Sequence, residues 1–158
     1  MIHLFSARHG DISFGKEERL NERGKSQILK LAENIGEIMD GKTLALVSST
    51  ALRALDSAEI LAARLNLLGF DTDPYLWAGY DAPADSYQVL KNNERLLSVA
   101  KNRQNLAEGL VIISHRNVAE PLAIGLMKEY QIHGSFVGLD NGQAIHLDLY
   151  NKTCRVIN

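Results

Sequence analysis

Alternating strand-like and helix-like patterns along the 158-residue chain predict an α/β fold: a three-layer α/β/α sandwich with a mostly parallel central sheet and a C-terminal antiparallel hairpin. Two observations carry this expectation. The apolar runs Ile2-His3-Leu4-Phe5-Ser6, Leu44-Ala45-Leu46-Val47-Ser48 and Leu110-Val111-Ile112-Ile113-Ser114 have the length and composition of buried parallel strands. Near the end, Ala144-Ile145-His146-Leu147-Asp148-Leu149 alternates as a half-solvated strand does, and Asn151-Lys152 turns it into a last short strand near 154–157.

The elements between follow from periodicity. Ile28, Leu31, Ala32, Ile35, Ile38 and Met39 recur at helical spacing, and Asp40-Gly41 supplies a C-cap. A second stripe, Ala51, Ala54, Leu55, Ala58, Leu61, Ala62 and Leu65, follows a serine/threonine N-cap and ends before Gly69. Residues 71–77 read as a short strand in which Pro74 is tolerable at a sheet edge. A longer helix is expected over 84–105. The helix after His115 keeps Pro121 on the ground that the first amide hydrogens of a helix have no internal partner.

Size and composition bound the function classes. With 46% hydrophobic residues the chain can bury an ordinary core as one domain, residues 1–158. The single cysteine, Cys154, has no internal partner for a disulfide, and Met1-Ile2-His3 opens directly into a strand pattern, so a cytoplasmic location is expected. A net charge of −2 offers no general attraction to nucleic acid, and no apolar run is long enough to cross a bilayer.

Chemistry-bearing residues gather where strands end. Arg8-His9-Gly10 follows the first strand, Arg53 lies in the opening turns of the helix after the second, and His115, with Arg116-Asn117, follows the third. In an open α/β sheet the crevice outside the carboxyl ends of the strands is where ligands bind, and parallel strands would bring these distant segments to one end. An arginine fork suits phosphate oxygens, a neutral imidazole can attack phosphorus, and a glycine lets backbone approach closely.

Four ordered motifs, Arg8-His9-Gly10, Leu20-Asn21-Glu22-Arg23-Gly24, Ser49 through Ala58 with Arg53-Ala54 and Ser57-Ala58, and Ser114-His115, resemble the histidine phosphatase (phosphoglycerate mutase-like) superfamily. In its short length the chain is most like the small SixA-type phosphohistidine phosphatases. The resemblance implies a metal-independent phosphatase with no cofactor, in which His9 is the nucleophile and a phosphohistidine forms on it. Arg8 and Arg53 then hold the phosphoryl oxygens, and His115 adds a donor once phosphate is bound. Implied partners are a phosphorylated protein, with phosphohistidine as the favoured substrate, or a small phosphoester, and inorganic phosphate.

Many relatives place a glutamate after the third strand as the leaving-group acid, whereas 77–85 here offers only aspartates. Asp81 is the preferred candidate, and Asp85 reads equally well as a helix N-cap. A departing imidazole can leave already protonated, so the missing glutamate favours a phosphohistidine substrate. Arg116, where many relatives have glycine, is either a substrate contact or a solvated helix-start residue. His3, His133 and His146 lack metal-ligand spacing. The alternatives are a small-molecule phosphomonoesterase and a non-catalytic phosphate-binding regulatory module of the same fold.

Overall fold

The computed structural model describes residues 1–15, 17–77 and 93–158. In chain order these form β1 (His3–Arg8), α1 (Glu22–Met39), β2 (Leu44–Ser48), α2 (Leu52–Arg64), β3 (Asp71–Thr72), a 3₁₀ turn (Pro74–Leu76), α3 (Asn93–Lys101), β4 (Gly109–Ser114), α4 (Arg116–Glu129), β5 (Ala144–Asp148) and β6 (Thr153–Ile157). The strands make one sheet in the order β3-β2-β4-β1-β5-β6. The pairs β2–β3, β2–β4 and β1–β4 are parallel, and β1–β5 and β5–β6 are antiparallel. The predicted fold class is the observed one.

Strand alternation divides the core into the two interfaces of the sandwich. Leu4, Val47, Leu110 and Ile112 point to the face that α3 and α4 cover, together with Leu96, Val99, Leu122 and Leu126. Phe5, Leu46, Val111 and Ile113 point the other way, against Ile28, Leu31 and Ile35 of α1 and Ala58 and Leu61 of α2. The apolar helix stripes are therefore packing faces, as their 3.6-residue period requires.

Several local expectations are corrected. Residues 71–77 hold only a two-residue strand. Pro74 instead opens the 3₁₀ turn, where its fixed φ is suited and no amide is missed, with Asp73 accepting from the Tyr75 N–H at 3.0 Å. The N-cap of α2 is Ala51 rather than a hydroxyl residue. Pro121 lies in the interior of α4, beyond the unpartnered first amides. Residues 144–147 are buried throughout rather than half-solvated, because both faces of β5 are covered: Ile145 and Leu147 join one core layer and Ala144 the other. Of the helix expected over 84–105, α3 lies within the span, and 84–92 fall outside the described residues.

Two of the glycines in the motifs serve one contact. A Cβ on Gly10 would lie 2.5 Å from the Gly24 carbonyl oxygen, and one on Gly24 would lie 2.0 Å from that of Asp11. The first turn of α1 thus packs backbone to backbone on the segment after β1, and this helix approach requires Gly10. Asn21 caps α1 by accepting from the Gly24 N–H at 2.7 Å, and its amide donates to the Asp11 carboxylate and the Ile12 carbonyl.

Candidate phosphate-binding site

Register explains why residues far apart in sequence meet. Arg8 pairs with Ser114 at the parallel ends of β1 and β4, so the next residue on each strand, His9 and His115, emerge side by side. The His9 N–H donates to the Ser114 carbonyl at 3.0 Å, and the two imidazoles stand edge to face with centroids 5.2 Å apart. Ser48 pairs with Ile113 on the other side of β4, which starts α2 beside the same end and delivers Arg53 in its first turn. Arg8, His9, Arg53, His115, Arg116, Asn117 and Glu120 line an open cleft of about 400 Å³. The N-termini of α2 and α4 both begin at this end of the sheet, and their unpaired amides and dipoles favour an anion there.

Hydrogen bonds assign the tautomers. His9 is 7% exposed, and its Nδ1 lies 2.7 Å from the Gly10 carbonyl. A carbonyl only accepts, so Nδ1 carries the proton and Nε2 keeps a bare lone pair. His115 is 4% exposed; its Nδ1 accepts from Arg53 Nε at 3.3 Å, which leaves the proton on Nε2, 3.1 Å from Ser49 Oγ. Burial, with the positive charges of Arg53 and Arg8 added, pushes the His9 pKa down to about 4. The same desolvation, followed by the charges of Arg53 and of His9, pushes His115 down to about 2. Both rings are neutral at pH 7, and His115 accepts from Arg53 at Nδ1 rather than donating.

Each arginine is held by partners within the fold. Arg8 Nη1 donates to the Leu139 carbonyl at 2.9 Å, and its buried Nε has no partner among the described residues. Arg53 is anchored through Nε on His115, while its Nη1 forms an ion pair with Glu18. Arg116 is exposed at the rim, where Nε donates to Glu120 Oε1 at 2.9 Å; the same oxygen accepts from the Leu139 N–H at 2.7 Å. Its solvated helix-start role is thereby combined with a place on the cleft wall.

The serines of the second motif have local functions. Ser57 Oγ donates to the Arg53 carbonyl at 2.8 Å and accepts from the Gly10 N–H at 3.3 Å, tying α2 to the loop that bears His9. Ser49 orients His115. Sequence reasoning singled out neither role, and it missed Glu18 and Glu120. Glu18 sits in a Glu17-Glu18-Arg19 charge run that reads as a solvated turn, so no sequence signal pointed to it. Asp81 and Asp85 lie outside the described residues. Among the described residues no group of three His, Cys, Asp or Glu side chains forms a metal-ligand set, and no helix is long and apolar enough to cross a membrane.

Residues 4–78 match the family model of the histidine phosphatase superfamily (branch 1). Over that span, a little under half of the chain, the sequence is similar to that superfamily. No curated protein matches the chain in sequence. Among solved structures it is similar to the protein histidine phosphatase SixA complexed with tungstate, at 16% identity over 99% of this chain and 95% of that one, with a TM-score of 0.66. A SixA chain from Agrobacterium tumefaciens gives 18% identity, 99% and 96% coverage and a TM-score of 0.66. A mycobacterial glucosyl-3-phosphoglycerate phosphatase gives 20%, 99%, 97% and 0.67, and the same mycobacterial enzyme has been solved with inorganic phosphate. At these identities the likeness is one of fold, and the fold is that of the histidine phosphatases.

Proposed function

We propose that this protein is a metal-independent phosphatase that passes the phosphoryl group through His9. The observation that carries the reading is the His9 Nδ1–H bond to the Gly10 carbonyl, which leaves Nε2 unprotonated in a cleft walled by Arg8, Arg53 and His115. Phosphoryl transfer asks chiefly for positioning and charge neutralisation, and here cationic and donor groups take the place that magnesium has in other enzymes.

In this mechanism Arg8 and Arg53 hold two non-bridging oxygens of the substrate. The arriving anion favours a proton on His115 Nδ1, which then donates to a third oxygen while Arg53 Nε turns from the ring to the phosphoryl group. His9 Nε2 attacks phosphorus, the bond to the leaving group breaks, and the ring becomes a phosphorylated imidazolium whose Nδ1–H still rests on the Gly10 carbonyl. Water then attacks the phosphohistidine, releasing inorganic phosphate and restoring neutral His9. Where many relatives carry a glutamate as the leaving-group acid, this chain offers Asp81 as the candidate.

The substrate is a phosphorylated protein side chain, phosphohistidine in the SixA manner, or a small phosphoester; both classes of enzyme occur among the fold relatives. The test is hydrolysis of 4-nitrophenyl phosphate in excess chelator by the native chain and by His9→Ala, with acid-labile, base-stable label sought on the protein after incubation with a radiolabelled substrate. Activity that survives chelation, vanishes in His9→Ala and leaves label on His9 is the expected result. Phosphate binding without turnover would assign a non-catalytic binding module. Release of phosphate from a histidine-phosphorylated carrier protein, compared with small esters, separates the two substrate classes.

A further inference from the structure

We infer that Glu18 is the proton donor for the leaving group, and that the site therefore accepts alkyl phosphate monoesters as well as substrates with good leaving groups. The inference rests on the phosphatase reading above and adds to it the residue that makes poor leaving groups accessible.

Two observations converge on Glu18. Its carboxylate forms an ion pair with Nη1 of Arg53, the guanidinium that also contacts His115, so it stands beside the arginine of the cleft. Arg53 is 10% exposed in its side chain and Glu18 is 50% exposed, so the carboxylate lies on the solvent side of the arginine. In-line attack from the buried His9 drives the leaving group toward the cleft opening, and the proposal places the half-exposed Glu18 there.

The loop is built to hold that position. An antiparallel bridge between Ile12 and Leu20 closes its base, and the Ser13 N–H donates to the Arg19 carbonyl at 3.0 Å. Asp56, one turn beyond Arg53 on α2, accepts from Arg19 Nη1 at 2.7 Å and from the Leu20 N–H at 3.1 Å. The two residues after Glu18 are thus fastened to the helix that carries Arg53.

Other carboxylates near the cleft are committed. Glu120 accepts two hydrogen bonds at Oε1, from Arg116 and the Leu139 amide, and serves to fix Arg116. Asp11 is held as the anion, with its pKa lowered chiefly by the Asn21 amide, and it lines a neighbouring polar cavity instead. Glu18 has one ionic partner, and that partner is the group a substrate recruits. When Arg53 turns its donors to the phosphoryl oxygens, the carboxylate is released, and being half-exposed it exchanges protons with water.

The step balances. As His9 Nε2 bonds to phosphorus and the ester P–O bond breaks, the Glu18 carboxyl gives its proton to the departing oxygen, which leaves as an alcohol. Glu18, now a carboxylate, takes a proton from the water that attacks the phosphohistidine; the P–N bond breaks, phosphate departs, and Glu18 is again a carboxyl.

The experiment compares native, Glu18→Gln and Asp81→Asn proteins on 4-nitrophenyl phosphate, whose leaving group needs no proton, and on a simple alkyl phosphate such as 2-phosphoglycerol. Glutamine keeps an oxygen for Arg53 but loses the charge and the transferable proton. General acid catalysis contributes a factor on the order of 10²–10⁴, so Glu18→Gln lowers kcat on the alkyl ester by roughly a hundredfold. The loss on the aryl ester is smaller by about tenfold or more. Equal losses on both esters would make Glu18 a positioning residue and overturn the proposal, as would a leaving-group-dependent loss confined to Asp81→Asn. Absence of turnover by the native chain on both esters would instead overturn the phosphatase reading itself, a result distinct from either.

Discussion

At the scale of single residues, the site works by deciding which nitrogen carries a proton. His9 must attack as a neutral ring, and burial beside two arginines pushes its pKa down to about 4. Its protonated form blocks Nε2 and accumulates only below that value. The acidic limb of kcat/KM, corrected for the ionisation of the substrate, is therefore expected at about 4 rather than near the 6.5 of an ordinary histidine. A limb that follows 6.5 would show that the nucleophile is solvated or is another group. His115 has its own device in Ser49, whose hydroxyl holds Nε2–H and leaves Nδ1 facing Arg53. Ser49→Ala leaves a buried N–H without a partner, which costs about 1–3 kcal/mol of stability, and frees the ring to adopt the tautomer that cannot serve the phosphate. Thermal unfolding and turnover measured on the same preparation check both effects, and unchanged kcat would remove Ser49 from the orienting role.

At the scale of elements, the motifs are mostly devices for bringing segments together. Gly10 and Gly24 let α1 touch the chain after β1, Ser57 ties α2 to Gly10, and Asp56 fastens the loop that carries Glu18. Gly24→Ala forces a Cβ to within 2.0 Å of the Asp11 carbonyl, a backbone atom that moves only if the whole segment moves. The expected cost is roughly 1–3 kcal/mol, with a fall in turnover because the shifted segment is continuous with His9. Denaturant unfolding and kcat report this, and a variant with native stability would mean that the helix start yields freely. The elements were largely legible in the sequence because apolar periodicity is imposed by the two faces of the sheet. What escaped was decided by pairing. The burial of His146 follows from its packing on Phe5 and His3 across the sheet, and the place of Glu18 follows from a loop fastened to α2 through Asp56; neither leaves a local pattern. His9, His115, Arg8 and Arg53 were legible because each follows a strand, and parallel strands share an end.

For the whole molecule, the histidines link folding to acidity. Four of the five are buried, and two of these lie away from the phosphate cleft: His3 Nδ1 is 3.1 Å from His146 Nε2 across β1 and β5, and His146 stacks on Phe5 with centroids 4.7 Å apart. Desolvation lowers His3 and brings His146 to about 4, as it brings His9 to about 4 and His115 to about 2. The unfolded chain binds protons near 6.5, while the folded chain refuses them until the pH is far lower. Between those values the unfolded state holds more protons, so stability is full above about 6.5 and is lost as the pH falls toward 4. Replacing both partners of the buried pair, His3→Leu with His146→Leu, removes two of these titrations without orphaning a polar atom, so stability at pH 7 should stay close to native. The unfolding midpoint of the double variant should then fall less steeply between pH 7 and 4.5 than that of the native chain. Parallel decline of the two proteins would place the acid sensitivity in the cleft histidines or in carboxylate pairs instead, because the sheet pair would then be contributing nothing to the proton balance.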